Sequence, residues 1–293
     1  MRDTCFADGD TMSSSLTSLR NALQEFVEAA ATQSQSHIRP LHQHIVQRLV
    51  VEGGFPPDEI SPRPPLRVET FTSNGQRRHR LHFDETAARP GEQTVLGGLK
   101  TKDVDVVVSK QHVGPCLAVS VKGTFNAFRN LTNRMEEAAG DCTNLHISYP
   151  ALVYGFLHVM RTNRRGDVTS SNDVAVEDDG TIVQTIRRYH DAMARLTNRV
   201  DLRNDVSRYE AVAIALVHPR GENIAEVVGD FPLESSPLVF ARFFEKLYGV
   251  YDQRFVYAAP ALESRTRRLE WQPDSPALTA ITTSDFMPRL AAD

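Results

Sequence analysis

The sequence lacks long apolar runs and has little cysteine. No segment approaches the roughly 20 consecutive apolar residues of a membrane span, and the first letters, MRDTCFADGDTMSSS, contain no apolar stretch of a secretory signal. The three cysteines, Cys5, Cys116 and Cys142, are an odd number without metal-ligand spacing, which favours reduced thiols over a disulfide framework. We therefore expect a soluble, cytoplasmic protein that does not contact a membrane.

An excess of positive charge is also missing, since the formal net charge is -4. This value argues against a general binder of polyanions. Arginine is instead concentrated in four short clusters, at 76–80, 161–165, 186–190 and 264–268. Each cluster is either a solvated face or a contact to phosphates. A sequence-specific DNA enzyme stays compatible with the charge, because a basic cleft can lie within an acidic surface.

Apolar spacing and turn residues predict an α/β protein with a mixed central β-sheet flanked by helices and a helical N-terminal extension. We expect one domain over 1–293, with a helical part at 1–60, a core at 61–225 and a C-terminal helix and tail at 226–293. The predicted helices are 12–33, 38–52, 124–140, 180–196 and 237–255. The predicted strands are 66–72, 78–83, 103–110, 115–123, 144–150, 151–160 and 209–219, with a buried helix as the alternative for 151–160.

The stretch DVDVVVSKQHVGPCLAVSVKG, at 103–123, combines acids and a lysine on two strands joined near Gly114. Residues two apart on a strand share a face, so Asp103 projects with Asp105, and Ser120 projects with Lys122. Chemistry on phosphodiesters uses carboxylates to hold Mg²⁺ and a lysine to orient the attacking water. The alternative is a surface salt bridge beside a β-hairpin.

A second carboxylate is expected on the helix predicted at 124–140. Its buried stripe comprises Phe125, Phe128, Thr132, Met135 and Ala139. Glu136 lies at the border of that stripe, whereas Glu137 points further toward solvent. Glu136 is therefore the candidate for the metal ligand that Ser120 cannot supply.

These motifs resemble the PD-(D/E)XK nucleases, in which an acid precedes an apolar strand and acid-x-Lys ends the next strand before a helix. Type II restriction endonucleases that cut around CCGG are more similar still, because they carry Ser-Val-Lys and move the acid to a position fourteen residues past the lysine, here Glu136. The resemblance covers about 66–160. It implies a restriction-endonuclease-like fold in which Asp105 and Glu136 bind Mg²⁺, with Asp103 as the alternative to Asp105. Lys122 would position the attacking water, with Ser120 beside it in the catalytic site.

The chain departs from that subgroup where the bases are read. The subgroup has Arg, Asp and Arg four, six and seven residues past the lysine, and these positions hold Asn126, Phe128 and Arg129, of which only Arg129 matches. Val104 also replaces the proline before the first acid. The interval of seventeen residues from Asp105 to Lys122 is shorter than in the subgroup.

The resemblance implies double-stranded DNA as the substrate, and a palindromic target requires a homodimer or a higher oligomer. The polar side chains after the lysine are the candidates for contacts to bases in the major groove. They are Asn126, Arg129, Asn133 and Arg134.

Two other functions fit parts of the same pattern. Asp103 and Asp105 with Gly97 and Gly98 upstream are similar to a nucleotidyltransferase that holds Mg²⁺ for a nucleoside triphosphate. A DNA-binding protein that keeps the nuclease fold without cleavage is the other alternative.

Other ligand candidates lie in the N-terminal part of the chain. Glu52 and Glu69 are further acid candidates. We expect His37, His42 and His44 to be surface or partly packed residues, because their spacing does not place them on one helical face.

Overall fold

The structure is a computed structural model that describes residues 16–29, 37–281 and 285–292. Parts of the helix predicted at 12–33, and Cys5, lie outside these ranges. Within them, none of the helices has the length and apolarity needed to cross a membrane.

Nine strands in the described residues form one five-stranded sheet and two small hairpin sheets. In chain order they are β1 (Ile60–Ser61), β2 (Leu66–Ser73), β3 (Gln76–Phe83), β4 (Gln93–Leu96), β5 (Thr101–Val104), β6 (Val106–Lys110), β7 (Gly114–Thr124), β8 (Val153–Arg161) and β9 (Ala211–Val217). The main sheet has the order β1-β6-β7-β8-β9. Its β1-β6 and β6-β7 pairs are antiparallel, and its β7-β8 and β8-β9 pairs are parallel. The small sheets are the β2-β3 and β4-β5 hairpins.

Helices cover both faces of the main sheet. They are α1 (Leu19–Glu28), α2 (Arg39–Val51), α3 (Leu131–Ser148), α4 (Gln184–Met193), α5 (Phe243–Tyr251) and the short α6 (Glu263–Thr266). Apolar residues of α1, α2 and α5 share one buried cluster with Val119 and Val121, whereas those of α3 and α4 share another with Ala118. This alternation along β7 buries both faces of the strand. The prediction of an α/β protein with a mixed central sheet is confirmed.

The segment after β7 differs from its prediction. The helix begins at Leu131 instead of 124 and continues through Gly140 to Ser148, so the strand predicted at 144–150 is wrong. Ala127 adopts a left-handed conformation with φ 58°, and its N–H donates to Asp173 Oδ1. That contact, 46 residues away in the chain, holds the segment before α3 out of the helix. Phe125 and Phe128 of the predicted stripe are buried but precede the helix, whereas Thr132 is exposed. The buried residues of α3 include Leu131, Ala138 and Cys142.

Two other boundaries differ from their predictions. The strand predicted at 103–110 is divided at Asp105 into β5 and β6. The helix predicted at 237–255 comprises a 3-10 turn (Phe240–Arg242), α5 and a π-helical turn (Asp252–Tyr257).

A buried histidine joins β7, β8 and α4. His158 is fully buried, its Nδ1 lies 2.7 Å from Tyr189 Oη, and its Nε2 lies 2.8 Å from Thr124 Oγ1. Burial, followed by the charges of Arg134 and Lys122, lowers the pKa of His158 to about 3. The folded protein therefore keeps this ring neutral where the unfolded chain, with an ordinary histidine pKa, takes up a proton.

This difference predicts a loss of stability in acid. As the pH falls below about 6.5, the unfolded state gains a proton on His158 that the folded state does not, so the free energy of unfolding drops by up to about 1.4 kcal/mol per pH unit. The variant His158→Gln removes this contribution. Denaturant titrations at pH 5, 6 and 7 should show a steeper loss for the wild type than for the variant. Parallel pH profiles would contradict the assignment.

Candidate active site

Asp105 lies where the chain passes from β5 into β6, opposite the end of β7. Its side chain is buried, and Oδ2 accepts hydrogen bonds from Ser120 Oγ at 3.1 Å and from the Val121 N–H at 2.7 Å. Burial with two donors fixes the carboxylate in one orientation. Ser120 thus positions the acid at the strand end, which is a role that the sequence pattern does not reveal.

Lys122 lies two residues beyond Ser120 on the same face of β7. It is half-buried and lines a cleft of about 360 Å³ together with Asp105, Asn126 and Arg134. Among the residues that the structure describes, the side chain of Lys122 forms no hydrogen bond or ion pair. The positive charge of Lys122 nevertheless helps to lower the pKa of the buried His158.

The two lysines nearest to Lys122 in sequence have partners. Lys102 Nζ lies 2.6 Å from Asp141 Oδ2, and Lys110 Nζ lies 2.6 Å from Glu59 Oε2. A partly buried ammonium is desolvated, and a structural lysine recovers that cost through an acid partner. Lys122 has no such partner, so its ammonium is available to a molecule that enters the cleft.

His42 reaches the same strand end from α2. The residue is 5% exposed, and its Nε2 has no hydrogen-bond partner among the described residues. This nitrogen lies 3.9 Å from Asp105 Oδ1. Burial lowers the pKa of His42 below its ordinary value, although the charge of Asp105 opposes this. The expectation of surface or partly packed histidines understated their burial, since His37, His42 and His44 are all buried.

Glu92 is brought to Asp105 by the register of the β4-β5 hairpin. Gln93 pairs with Val104, so the residue before β4 lies across from the residue after β5. Glu92 is half-buried, and its pKa is raised by burial and then by the charges of Asp105 and Asp103. Ligand atoms of His42, Glu92 and Asp105 all lie within 4.8 Å of one another. Sequence reasoning missed Glu92, although two short alternating runs around Gly-Gly are a hairpin signal.

Asp103 has a different environment from Asp105. It is exposed on β5, in the small hairpin sheet, and accepts a hydrogen bond from Thr94 Oγ1 at 2.5 Å. The prediction that the two acids project together from one continuous strand is wrong, because the chain bends between β5 and β6. Asp103 still contributes negative charge near Glu92.

Asn144 of α3 anchors the tip of the β4-β5 hairpin. Its Oδ1 accepts from the N–H groups of Leu99 and Lys100, and its Nδ2 donates to the Lys100 carbonyl at 2.9 Å. A Cβ atom on Gly97 would lie 2.2 Å from the Asn144 side chain, and one on Gly98 would lie 2.1 Å from Ile147. The glycine pair therefore has a packing role, as it lets the hairpin approach α3.

Glu136 and Glu137 are both exposed on α3. The helix begins at Leu131, so the argument that placed Glu136 at the border of a buried stripe does not hold. At about 100° per residue, Glu136 points roughly 160° away from the middle of the buried face, and Glu137 about 100°. Burial opposes ionisation of Glu137, but a hydrogen bond from Arg134 and the charge of Lys122 lower its pKa. Lys122 is therefore close enough to Glu137 for its charge to act on that carboxylate.

The four predicted base-reading residues are exposed and follow Lys122 in the chain, but not on one helix. Asn126 lies in the loop after β7, and Arg129 lies in a single 3-10 turn (Phe128–Asn130). Asn133 and Arg134 are in the first turn of α3, where Arg134 donates to Glu137 Oε2 at 2.9 Å. Asn126 and Arg134 line the cleft.

The two N-terminal acid candidates have partners of their own. Glu52 pairs with Arg48 at 2.8 Å and accepts a hydrogen bond from the Met287 N–H. Glu69 lies 2.8 Å from His82 Nε2. The N-terminal helices instead contribute His42 to the strand end.

The cleft contains the oriented carboxylate of Asp105 and the unpaired ammonium of Lys122, and the carboxylate of Glu92 and the imidazole of His42 meet Asp105 at the same strand end. Carboxylate and imidazole together can bind a divalent cation, and the ammonium can bind an anionic group beside it. Comparisons with protein-family models, with curated proteins and with solved structures find no match for this chain. The geometry of the cleft is therefore the basis for assigning a function.

The hairpin anchor gives a structural prediction. Asn144→Ala removes three hydrogen bonds to the hairpin tip and should lower the free energy of unfolding by roughly 1–3 kcal/mol. In hydrogen exchange, the amides of Leu99 and Lys100 should lose protection, whereas those of β7 should not. Unchanged protection at Leu99 and Lys100 would show that α3 does not hold the hairpin.

Proposed function

We propose that this chain is a divalent-metal-dependent endonuclease of the PD-(D/E)XK class that hydrolyses duplex DNA at specific sites, as type II restriction enzymes do. Asp105 is the principal metal-binding acid, Lys122 acts on the scissile phosphate and its attacking water, and Ser120 orients Asp105. The resemblance of the sequence motif implies Mg²⁺ as the cation, and the ligands of the site decide which divalent ion binds best.

The order of elements supports this proposal. The acid stands at the start of β6, a turn at Gly114 leads into β7, Ser-Val-Lys ends β7, and α3 leads on to the parallel β8. This is the sequence of elements that the class signature implies. The helices on both faces agree with the same expectation.

The observation that carries the proposal is the unpaired Lys122 beside the oriented Asp105. A hairpin that served only stability would pair this lysine, as Lys102 and Lys110 are paired. A phosphodiester would satisfy both groups, since its charged oxygen would accept from the Lys122 ammonium and Asp105 would hold a divalent cation that offsets the negative charge of the phosphate.

The chemistry follows from these positions. A bound divalent cation would supply Lewis-acid stabilisation of the charge that develops on the phosphoryl oxygens. Lys122 donates to the water or to a phosphate oxygen, and the half-buried cleft strengthens that interaction. The water oxygen attacks phosphorus and releases one proton to solvent, one P–O ester bond breaks with its electron pair, and the leaving sugar oxygen takes up a proton from solvent. The products are a phosphate monoester and a hydroxyl.

Exposed polar residues beside the cleft are proposed to contact DNA. Asn126 and Arg134 line it, and Arg129 and Asn133 lie on the adjoining segment as candidates for base contacts. A palindromic site would be read by two copies of the chain, which makes a homodimer or larger oligomer part of the proposal.

The activity is tested by incubating the purified chain with a long mixed-sequence DNA and either Mg²⁺ or Mn²⁺, followed by sequencing of the ends. Ends at a single short sequence support the proposal. Absence of cleavage with both ions contradicts it. A DNA-binding protein without cleavage would then show retention of DNA alone, and a nucleotidyltransferase would incorporate label from a nucleoside triphosphate.

Two lysines give a matched pair of variants. Lys122→Met should lower the cleavage rate by at least about 100-fold, because a donor to the reacting phosphate is lost, with little change in unfolding free energy. Lys102→Met should lower the free energy of unfolding with little change in the cleavage rate. It leaves Asp141 buried without its partner and costs about 1–3 kcal/mol, while the folded variant still cleaves. Single-turnover cleavage and denaturant unfolding measure the two effects, and equal cleavage by wild type and Lys122→Met would rule out Lys122.

Variants of Glu136 and Glu137 test which of these two adjacent glutamates acts as the second carboxylate. The spacing motif assigns the second acid to Glu136, whereas α3 places Glu137 nearer its buried face and the charge of Lys122 acts on Glu137. Glu136→Gln and Glu137→Gln are both exposed substitutions that should leave stability unchanged within about 0.5 kcal/mol. We expect Glu137→Gln to slow cleavage more than Glu136→Gln at limiting metal. The opposite order would restore Glu136 as the second acid.

A further inference from the structure

We propose that His42 is a nitrogen ligand in a three-residue metal site with Glu92 and Asp105, and that this site selects first-row transition ions such as Mn²⁺ or Zn²⁺ over Mg²⁺. This inference deepens the proposed function by naming the ion class and two ligands that the sequence motif does not contain.

The geometry of the three side chains carries the proposal. Ligand atoms of His42, Glu92 and Asp105 lie within 4.8 Å of one another. With bonds of about 2.1 Å, two ligand atoms of a tetrahedral ion lie about 3.4 Å apart. A pair at the 4.8 Å limit must therefore close by up to about 1.4 Å, which rotation of the side chains can supply. Asp103 lies near enough to Glu92 to add to the negative charge that a cation neutralises.

The buried nitrogen is the independent observation. His42 Nε2 is buried without a hydrogen-bond partner among the described residues, and it lies 3.9 Å from Asp105 Oδ1. A buried polar atom without a partner costs free energy, and such an atom at a carboxylate pair is accounted for by a shared cation.

The donor set determines the class of ion. Mg²⁺ prefers oxygen ligands in near-octahedral geometry and keeps several waters. Imidazole nitrogen favours first-row transition ions, for which the affinity of a mixed nitrogen and oxygen site rises from Mn²⁺ toward Zn²⁺. One imidazole with two carboxylates therefore discriminates against Mg²⁺.

The α2 helix also provides a matched control. His44 lies two residues further along, is buried like His42 and likewise has an Nε2 without a hydrogen-bond partner. Its Nδ1 lies 2.9 Å from the Thr17 carbonyl, and no described carboxylate forms a ligand cluster with it. Phe at either position keeps a planar apolar ring without a donor nitrogen.

The test is calorimetric titration of metal-free full chain with Mg²⁺, Mn²⁺ and Zn²⁺, in the wild type and in His42→Phe, His44→Phe and Lys122→Met. We expect Mn²⁺ to bind the wild type roughly tenfold or more tightly than Mg²⁺. His42→Phe should weaken Mn²⁺ binding by at least the roughly tenfold that loss of a supporting partner costs. His44→Phe should bind as the wild type does, and Lys122→Met should bind Mn²⁺ at least as tightly, because it removes a positive charge that acts on His42 and Glu92.

Pulsed electron paramagnetic resonance of bound Mn²⁺ gives a readout independent of affinity and activity. A nitrogen modulation in the wild type that is absent in His42→Phe supports the inference, and its absence in the wild type overturns it. Thermal melts identify any variant that fails to fold, and Glu92→Gln then replaces it as the affinity test. If the chain binds metal but does not cleave DNA, the proposed function is refuted and this inference stands. If the chain cleaves DNA but His42→Phe does not change Mn²⁺ binding, this inference is refuted and the proposed function stands.

Discussion

The site depends on the way one carboxylate is held at the end of the central sheet. Asp105 accepts hydrogen bonds from the Val121 N–H and from Ser120 Oγ, both on Oδ2. These bonds continue the contact between β6 and β7 past the last paired residues, and they leave Oδ1 beside His42. The backbone of the lysine strand thus orients the acid, so the distance between Asp105 and Lys122 is set by strand pairing and not by flexible side chains.

Separate elements of the molecule meet at this carboxylate. The helix α2 contributes His42 from one face of the sheet, and the β4-β5 hairpin contributes Glu92 through its register. On the other face, α3 holds that hairpin through Asn144 and carries Glu137 and Arg134. A ligand bound at the cleft would therefore connect the helical layer, the sheet and the hairpin, and its affinity would depend on all three.

Alternation of apolar residues and turn residues predicted the elements whose structure depends on residues close together in the chain. Alternation and Gly114 predicted the β6-β7 hairpin, and they identified Asp105 and Lys122 as neighbours. The start of α3 was wrong because a contact from Asp173, distant in the chain, holds Ala127 out of the helix. His42 and Glu92 were missed for the same kind of reason, since their proximity to Asp105 arises only from packing of α2 and from hairpin register. The functional assignment stays a prediction that rests on the geometry of the cleft.

The most direct measurement of the central claim is a crystal structure of Lys122→Met, the variant expected not to cleave, with a DNA duplex and Mn²⁺. The account predicts anomalous scattering from Mn²⁺ next to Asp105 and a backbone phosphate in the cleft, at the position that the lysine would contact. Manganese or DNA bound at another surface, with the cleft free of phosphate, would contradict it.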